Sequence, residues 1–317
     1  MSKLRVGVIG VGYLGKFHAE KYARIPEVEL VGVVDPDREN RQRVAKNVGT
    51  EAYADHRALL GKVDAVSIVA PTPLHFSLAR DFLENDVDLL IEKPMTVTLD
   101  EADALIALAE ERGRIVQVGH LERYNPAVVA VREFITKPRF IESHRLSTFK
   151  PRGTDVSVVL DLMIHDIDII LNLVKSEVTH LHAAGIAVIS DHVDIANARL
   201  AFKNGCVANI TASRISTKNE RKIRLFQRNA YISVDFAGKQ ISVIEKEANG
   251  APEGVIPGME VRELCFTDGD ALDDEIKAFV RSVRERKEPE VSGTVGRDAL
   301  AVALDVMDQI KITRQQF

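Results

Sequence analysis

Short apolar runs alternate with amphipathic stretches from the start of the chain as far as His120. Val6, Val8 and Ile9 form one run, 29–34 a second that stops at Asp35, 65–70 a third, 87–91 a fourth and 115–118 a fifth. Runs this short, apolar throughout and rich in β-branched residues predict strands covered on both faces. Between them, helical spacing is found at about 14–25, 38–48, 76–85 and 99–112, with a short element near 51–60. Repeated strand–helix units with short connections predict an α/β fold with a doubly wound parallel sheet, which binds ligands outside the carboxyl ends of its strands.

The pattern changes near Arg139. Stretches 139–149, 178–189, 194–202, 207–215, 222–228, 231–236 and 240–245 are strand-like, several alternate in polarity, and they follow one another closely. That predicts an antiparallel sheet, with Lys203-Asn204-Gly205 as one of its turns. Helices are expected at 158–174, 271–286 and 296–312, and the glycine- and proline-rich segment 249–258 is expected to be a mobile loop. The boundary falls between a first domain, 1–121, and a second, 122–317.

With 317 residues the chain is long enough for two cores. A net charge of −5 with 28% charged residues provides no general basic field, which excludes nucleic acid and membrane surfaces as expected partners. Cys206 and Cys265 are far apart without a neighbouring histidine pattern, so neither a metal site nor a disulfide framework is expected, and a reducing cytoplasm fits. The first strand begins by Leu4, which leaves no room for a signal peptide, and no apolar run approaches the roughly 20 residues of a membrane span.

The first strand runs into Gly10, Gly12 and Gly15 in G-x-G-x-x-G spacing. The spacing permits a tight turn, close approach to a pyrophosphate and close helix packing, and Asp35 follows at the distance of about 20 residues where a carboxylate takes the ribose hydroxyls. A carboxylate there repels a 2′-phosphate, so NAD is preferred to NADP; Arg38 is read as a solvated member of a charged run.

Three further stretches carry candidate chemistry. Glu92-Lys93-Pro94 ends a strand, and the proline holds Lys93 in an extended or turn conformation at the mouth of the sheet. In the apolar helix 158–174, Asp161, His165 and Asp168 fall on one stripe at i, i+4 and i+7, while Asp166 is expected to face outward. Histidine suits removing a proton from a carbinol as hydride leaves for NAD, with Asp161 fixing its tautomer. The last is 120–126, with Asn125 as N-cap, Pro126 at the first helical position, and Arg123 as a contact to cofactor or substrate or as a salt bridge at the domain junction.

These motifs, with T-P-x-x-H at 72–75, together resemble the glucose-fructose oxidoreductase / inositol dehydrogenase / rhizopine catabolism (Gfo/Idh/MocA) group over essentially the whole chain. The resemblance implies an N-terminal Rossmann domain and a C-terminal α/β domain with an open, mainly antiparallel sheet, assembled as a homodimer or homotetramer. It implies Lys93 and His165 at the reacting carbinol with Asp161 assisting, and a cis Lys93-Pro94 bond. The cofactor-binding set expected from motif and resemblance is Gly10, Gly12, Tyr13, Leu14, Gly15, Asp35, Thr72, Pro73, His75, Glu92, Lys93 and Arg123.

Within the group, G-H-x-x-R-Y-N-P and the stretch from Phe149 to Asp168 look most similar to sugar-nucleotide 3-dehydrogenases, which oxidise the 3-hydroxyl of UDP-N-acetylglucosamine or its uronate. A small-molecule sugar or nucleotide sugar is therefore the expected partner, met by Lys93, Tyr124, Lys150, Arg152, Asp161 and His165. Lys150, Arg152, Arg214, Lys218 and Arg221 are candidate cations for its diphosphate, and Tyr124, Phe149 or Tyr231 for stacking on uracil. Two alternatives remain: a dehydrogenase of a free polyol, inositol or monosaccharide, and an NAD-sensing regulator without catalysis.

Overall fold

In the computed structural model, which describes residues 2–149, 156–246 and 259–315, the first unit begins with the strand–helix alternation expected from the pattern. Strand β1 (Leu4–Ile9) is followed by α1 (Gly15–Tyr22), β2 (Val28–Val34), α2 (Arg38–Val48), β3 (Glu51–Tyr53), β4 (Ala65–Ile68), α3 (His75–Leu83), β5 (Asp88–Glu92), α4 (Leu99–Arg112) and β6 (Val116–Gly119). All six strands pair in parallel in the order β3-β2-β1-β4-β5-β6. The order reverses between β1 and β4, and that switch point is where such a sheet opens a crevice for its ligand. Val6, Val8, Val33, Val66, Leu89 and Ile91 are completely buried, as expected of strands covered on both faces. Local chemistry marks the helix ends. Asp37 caps α2 through Asn40 N–H, Thr98 and Glu101 form a reciprocal capping box on α4, and Gly49 and Gly113 close the two helices in the left-handed conformation.

The second unit contains α5 (Pro126–Val131), β7 (Phe140–Leu146), α6 (Ile164–Val174) and strands β8 (Val178–Ile186), β9 (Ile195–Phe202), β10 (Val207–Ser213), β11 (Glu220–Gln227), β12 (Ala230–Asp235), β13 (Gln240–Lys246) and β14 (Met259–Cys265). Their order is β14-β13-β12-β11-β7-β10-β9-β8; β7 and β10 run parallel, and every other pairing is antiparallel. Gly205 makes the expected turn between β9 and β10 with φ +83°. Helix α6 covers one face of the sheet with Ile164, Ile167, Ile169 and Ile170, which join Ile141, Ala198, Ile210 and Ile232 in one buried core. The segment 249–258 lies outside the described residues.

The chain closes with α7 (Ala271–Glu285) and α8 (Gly293–Gln315). The units are Met1–Leu121 with Leu272–Asp298, and Glu122–Ala271 with Ala299–Phe317. A division at 121/122 does not contain this return. It is driven by a stripe at helical spacing, Ile276, Phe279, Val280 and Val283, which packs with Val6, Val28, Ala65 and Tyr22 in the first unit's core. No helix among the described residues is long and apolar enough to cross a membrane.

Candidate active site

Three restraints shape the loop between β1 and α1. Gly10 has φ +83°, and a Cβ there would lie 2.7 Å from the Val69 carbonyl oxygen, so conformation and space both demand glycine. A Cβ on Gly15 would overlap the carbonyl oxygen of Gly10. At Gly12 it would meet nothing within 4 Å. The protein's own packing does not require glycine there, and the open space suits a pyrophosphate close to the backbone. No side chain caps the N-terminus of α1, so its positive dipole end is left for an anion. Tyr13 and Leu14 are exposed beside it.

Asp35 ties this loop to the end of β2. Its Oδ2 accepts the Val11 N–H and its Oδ1 the Asp37 N–H, each at 2.9 Å. A carboxylate has about four acceptor sites, so both oxygens keep capacity for ribose hydroxyls. These residues fit NAD. Arg38, at the start of α2, is exposed. Gly12→Val is therefore expected to shift the thermal midpoint by no more than about 2 °C while weakening NADH binding at least about tenfold. A melt and a fluorescence titration check the two halves.

The ends of β4 and β5 are stitched together by His75, which is completely inside the unit. Its Nε2 lies 2.7 Å from the Ala70 carbonyl oxygen and its Nδ1 3.0 Å from that of Pro94. Burial pushes the imidazole pKa below its usual value, against the opposing pull of the two carbonyls and Glu92. His75 thus acts on its neighbours' backbone, and it holds the turn that follows Lys93. The Lys93-Pro94 bond is cis, as the resemblance implied. Thr72 and Lys93 are half-buried and Pro73 exposed. Glu92 Oε1 lies 3.2 Å from His18 Nε2. Burial raises the Glu92 pKa, but the His18 hydrogen bond and the charges of His18, Lys93 and His75 outweigh it and hold the carboxyl below its ordinary range.

A second carboxyl of this unit escapes a reading by motif. Glu275 of α7 is completely buried, with no hydrogen-bond partner for either carboxylate oxygen among the described residues. Desolvation, reinforced by the charge of Glu92, drives its pKa well above the usual value. The available signal was its position on the apolar stripe of α7, one residue before Ile276 and four before Phe279. An acid with a raised folded pKa binds more protons folded than unfolded, so stability falls as pH rises above the ordinary value of 4.5. Glu275→Gln is expected to raise the melting midpoint at pH 8 and to flatten its decline between pH 5 and 8, as calorimetry would show.

In the second unit, a π turn (Val159–Met163) precedes α6, and the Ile164 N–H reaches back five residues to the Val159 carbonyl. Asp161, in the π turn, and His165, on α6, are both half-buried, while Ile164, Asp166, Ile167, Asp168, Ile169 and Ile170 are inside. Of the other two acids, Asp166 differs from expectation and Asp168 is paired. Asp166 does not face outward: it is 1% exposed and bound to Arg145 and Ser143. Asp168 is bound bidentately by Arg123, with Nε–Oδ2 at 2.6 Å and Nη2–Oδ1 at 3.0 Å. The sequence pattern lacked their partners, which come from elements distant along the chain.

Of the candidate diphosphate cations, Lys150 and Arg152 lie outside the described residues. Arg214 is buried and donates to the Val156 carbonyl oxygen at 2.6 Å, Lys218 pairs with Glu220, and Arg221 stays more than half exposed 3.7 Å from Glu122. Tyr124 is half-buried and Phe149 exposed. Tyr231 packs on Phe226 with ring centroids 5.1 Å apart.

Residues 4–120 match the model of the Gfo/Idh/MocA oxidoreductase family with its NAD-binding Rossmann fold, and 128–233 match the Gfo/Idh/MocA C-terminal domain. The UDP-N-acetylglucosamine 3-dehydrogenase of Acidithiobacillus ferrooxidans is 41% identical over 96% of this chain and 97% of that protein. A solved structure of the enzyme of that name from the same organism superposes with a TM-score of 0.93 at 40% identity, covering 98% of this chain and 99% of the other. The NAD-dependent scyllo-inositol 2-dehydrogenase of Bacillus subtilis is more distant, 27% identical over 92% of this chain and 89% of its own.

Proposed function

Since the chain belongs to the Gfo/Idh/MocA oxidoreductase family and its first unit is an NAD-binding Rossmann domain, we propose that it oxidises the 3-hydroxyl of UDP-N-acetylglucosamine, or a close UDP-N-acetylamino sugar, to a ketone. The observation that carries the substrate is the near full-length similarity to an enzyme named for that reaction, at 41% identity, against 27% for the inositol dehydrogenase.

Gly12 and the start of α1 would hold the pyrophosphate of NAD, and Asp35 would accept hydrogen bonds from its adenosine ribose. Bound NAD supplies the hydride acceptor. Lys93, an ammonium on a strand end braced by His75 and set beside Glu92, holds the carbinol oxygen and stabilises negative charge that develops on it. His165 takes the hydroxyl proton as the C–H bond gives up its hydride, and Asp161, one turn earlier, supports the imidazolium. Proton and hydride thus leave the carbinol by separate routes, which yields a ketone.

Purified protein incubated with NAD and UDP-N-acetylglucosamine should generate the near-ultraviolet absorbance of NADH and a sugar nucleotide lighter by two hydrogens. Myo-inositol and free N-acetylglucosamine should give less than about 1% of that rate, because sites built for particular polar groups reject analogues lacking them by large factors. Turnover of the free sugars with none of the nucleotide sugar would overturn the substrate.

A further inference from the structure

Helix α6 carries His165 between two acids. At about 100° per residue, Asp166 projects roughly 100° to one side of the histidine and Asp168 roughly 60° to the other. Each is gripped by one arginine through two hydrogen bonds. Arg145 Nε donates to Asp166 Oδ2 at 2.6 Å and its Nη2 to Oδ1 at 3.4 Å, while Ser143 Oγ adds a third bond to Oδ1 at 2.7 Å. Arg123 grips Asp168 at 2.6 and 3.0 Å on the other side. Neither acid nor arginine is more than 3% exposed. Arg145 is itself braced, its Nη1 lying 2.9 Å from Glu122 Oε1, and it stands on β7, an interior strand of the sheet.

Such pairs are poor stabilisers, because desolvation cancels most of the attraction. Orientation is what they supply. The apolar side chains of α6, Ile164, Ile167, Ile169, Ile170 and Val174, bury surface without fixing a direction, and the π turn before it lacks the regular hydrogen-bond register of an α-helix. Apolar packing resists rotation about the helix axis through shape alone, with no bond that fixes an angle. Two bidentate ion pairs, one on each flank of His165, supply such bonds. A side chain ends about 5–6 Å from the axis, so a rotation of about 10° moves its tip by roughly 1 Å, and a displacement of that size costs on the order of 100-fold in rate.

We propose that the Asp166–Arg145 and Asp168–Arg123 pairs are positioning residues that fix the rotation of α6 and so aim His165 and Asp161. The inference rests on the role proposed for His165. Arg145→Met with Asp166→Leu removes both charges of the pair together, and Glu122, which loses Arg145, keeps Arg221 and Asn125 as partners. With UDP-N-acetylglucosamine and NAD, this variant should lose roughly 10- to 100-fold in kcat while KM for both substrates stays within about threefold. Arg145→Lys, which keeps the charge but not the fork, should retain part of kcat at the same KM. A folded double variant with wild-type kcat, or one whose loss lies in KM alone, overturns the proposal. Should the double variant fail to fold, wild-type kcat in Arg145→Lys overturns it. His165→Asn is run alongside: full activity there defeats the role of the histidine, whereas an inactive His165→Asn beside fully active pair variants defeats only the positioning.

Discussion

Lys93→Met is expected to lower kcat about 10³-fold with little change in NADH affinity, the magnitude that follows when a preorganised charge is taken from a developing oxyanion. Methionine keeps the length and apolar stem of lysine, so the loss isolates the ammonium. The backbone around it does not depend on the amine: His75 spans the Ala70 and Pro94 carbonyls, and Glu92 has His18 as a second partner. The variant should therefore melt within a few degrees of the parent and bind NADH normally by fluorescence. A kcat within tenfold of the parent would remove Lys93 from the reaction.

His165→Asn is expected to lower kcat by roughly 10²–10⁴-fold, the range for loss of a positioned base. Asparagine fills much of the space and cannot take a proton at neutral pH. The diagnostic is the pH profile: the acid limb of kcat should disappear in the variant, and the residual rate should climb with hydroxide concentration. The helix should survive, because its anchors are Arg145 and Arg123 on the flanking acids and the isoleucines beneath. Retention of the acid limb at reduced rate would assign that proton to another group.

The parts of this molecule legible in the sequence were those whose cause is local. Gly10, Gly12, Gly15 and Asp35 lie within one strand–helix–strand unit, so spacing alone places them; the positive φ of Gly10 and the Gly10 carbonyl facing Gly15 belong to the same loop, and only the Val69 carbonyl facing Gly10 arrives from the end of a distant strand. The cap of α5 by Asn125, with Pro126 beginning the helix, was equally local. Asp166 was misjudged because helical phase says which way a residue points but not what waits there. Arg145 arrives from β7, where Ile141, Ser143 and Arg145 alternate inward, and two polar members of an inward-facing row were the overlooked signal. β14 was missed for another reason: Met259–Cys265 forms an edge strand that is largely exposed and polar, so it lacks the apolar alternation by which the other strands were found.

The return of α7 has a consequence for how the chain is made. A ribosome finishes the six strands of the Rossmann sheet long before it reaches Ile276, Phe279, Val280 and Val283, so the flank formed by Val6, Val28 and Tyr22 emerges without its cover. That nascent sheet must wait, with apolar surface uncovered, while the whole eight-stranded partner is synthesised. A gene fragment ending near residue 121 would encode the cofactor loop in a protein lacking part of its own interior, and such a fragment belongs with chaperone clients rather than with isolated nucleotide-binding domains.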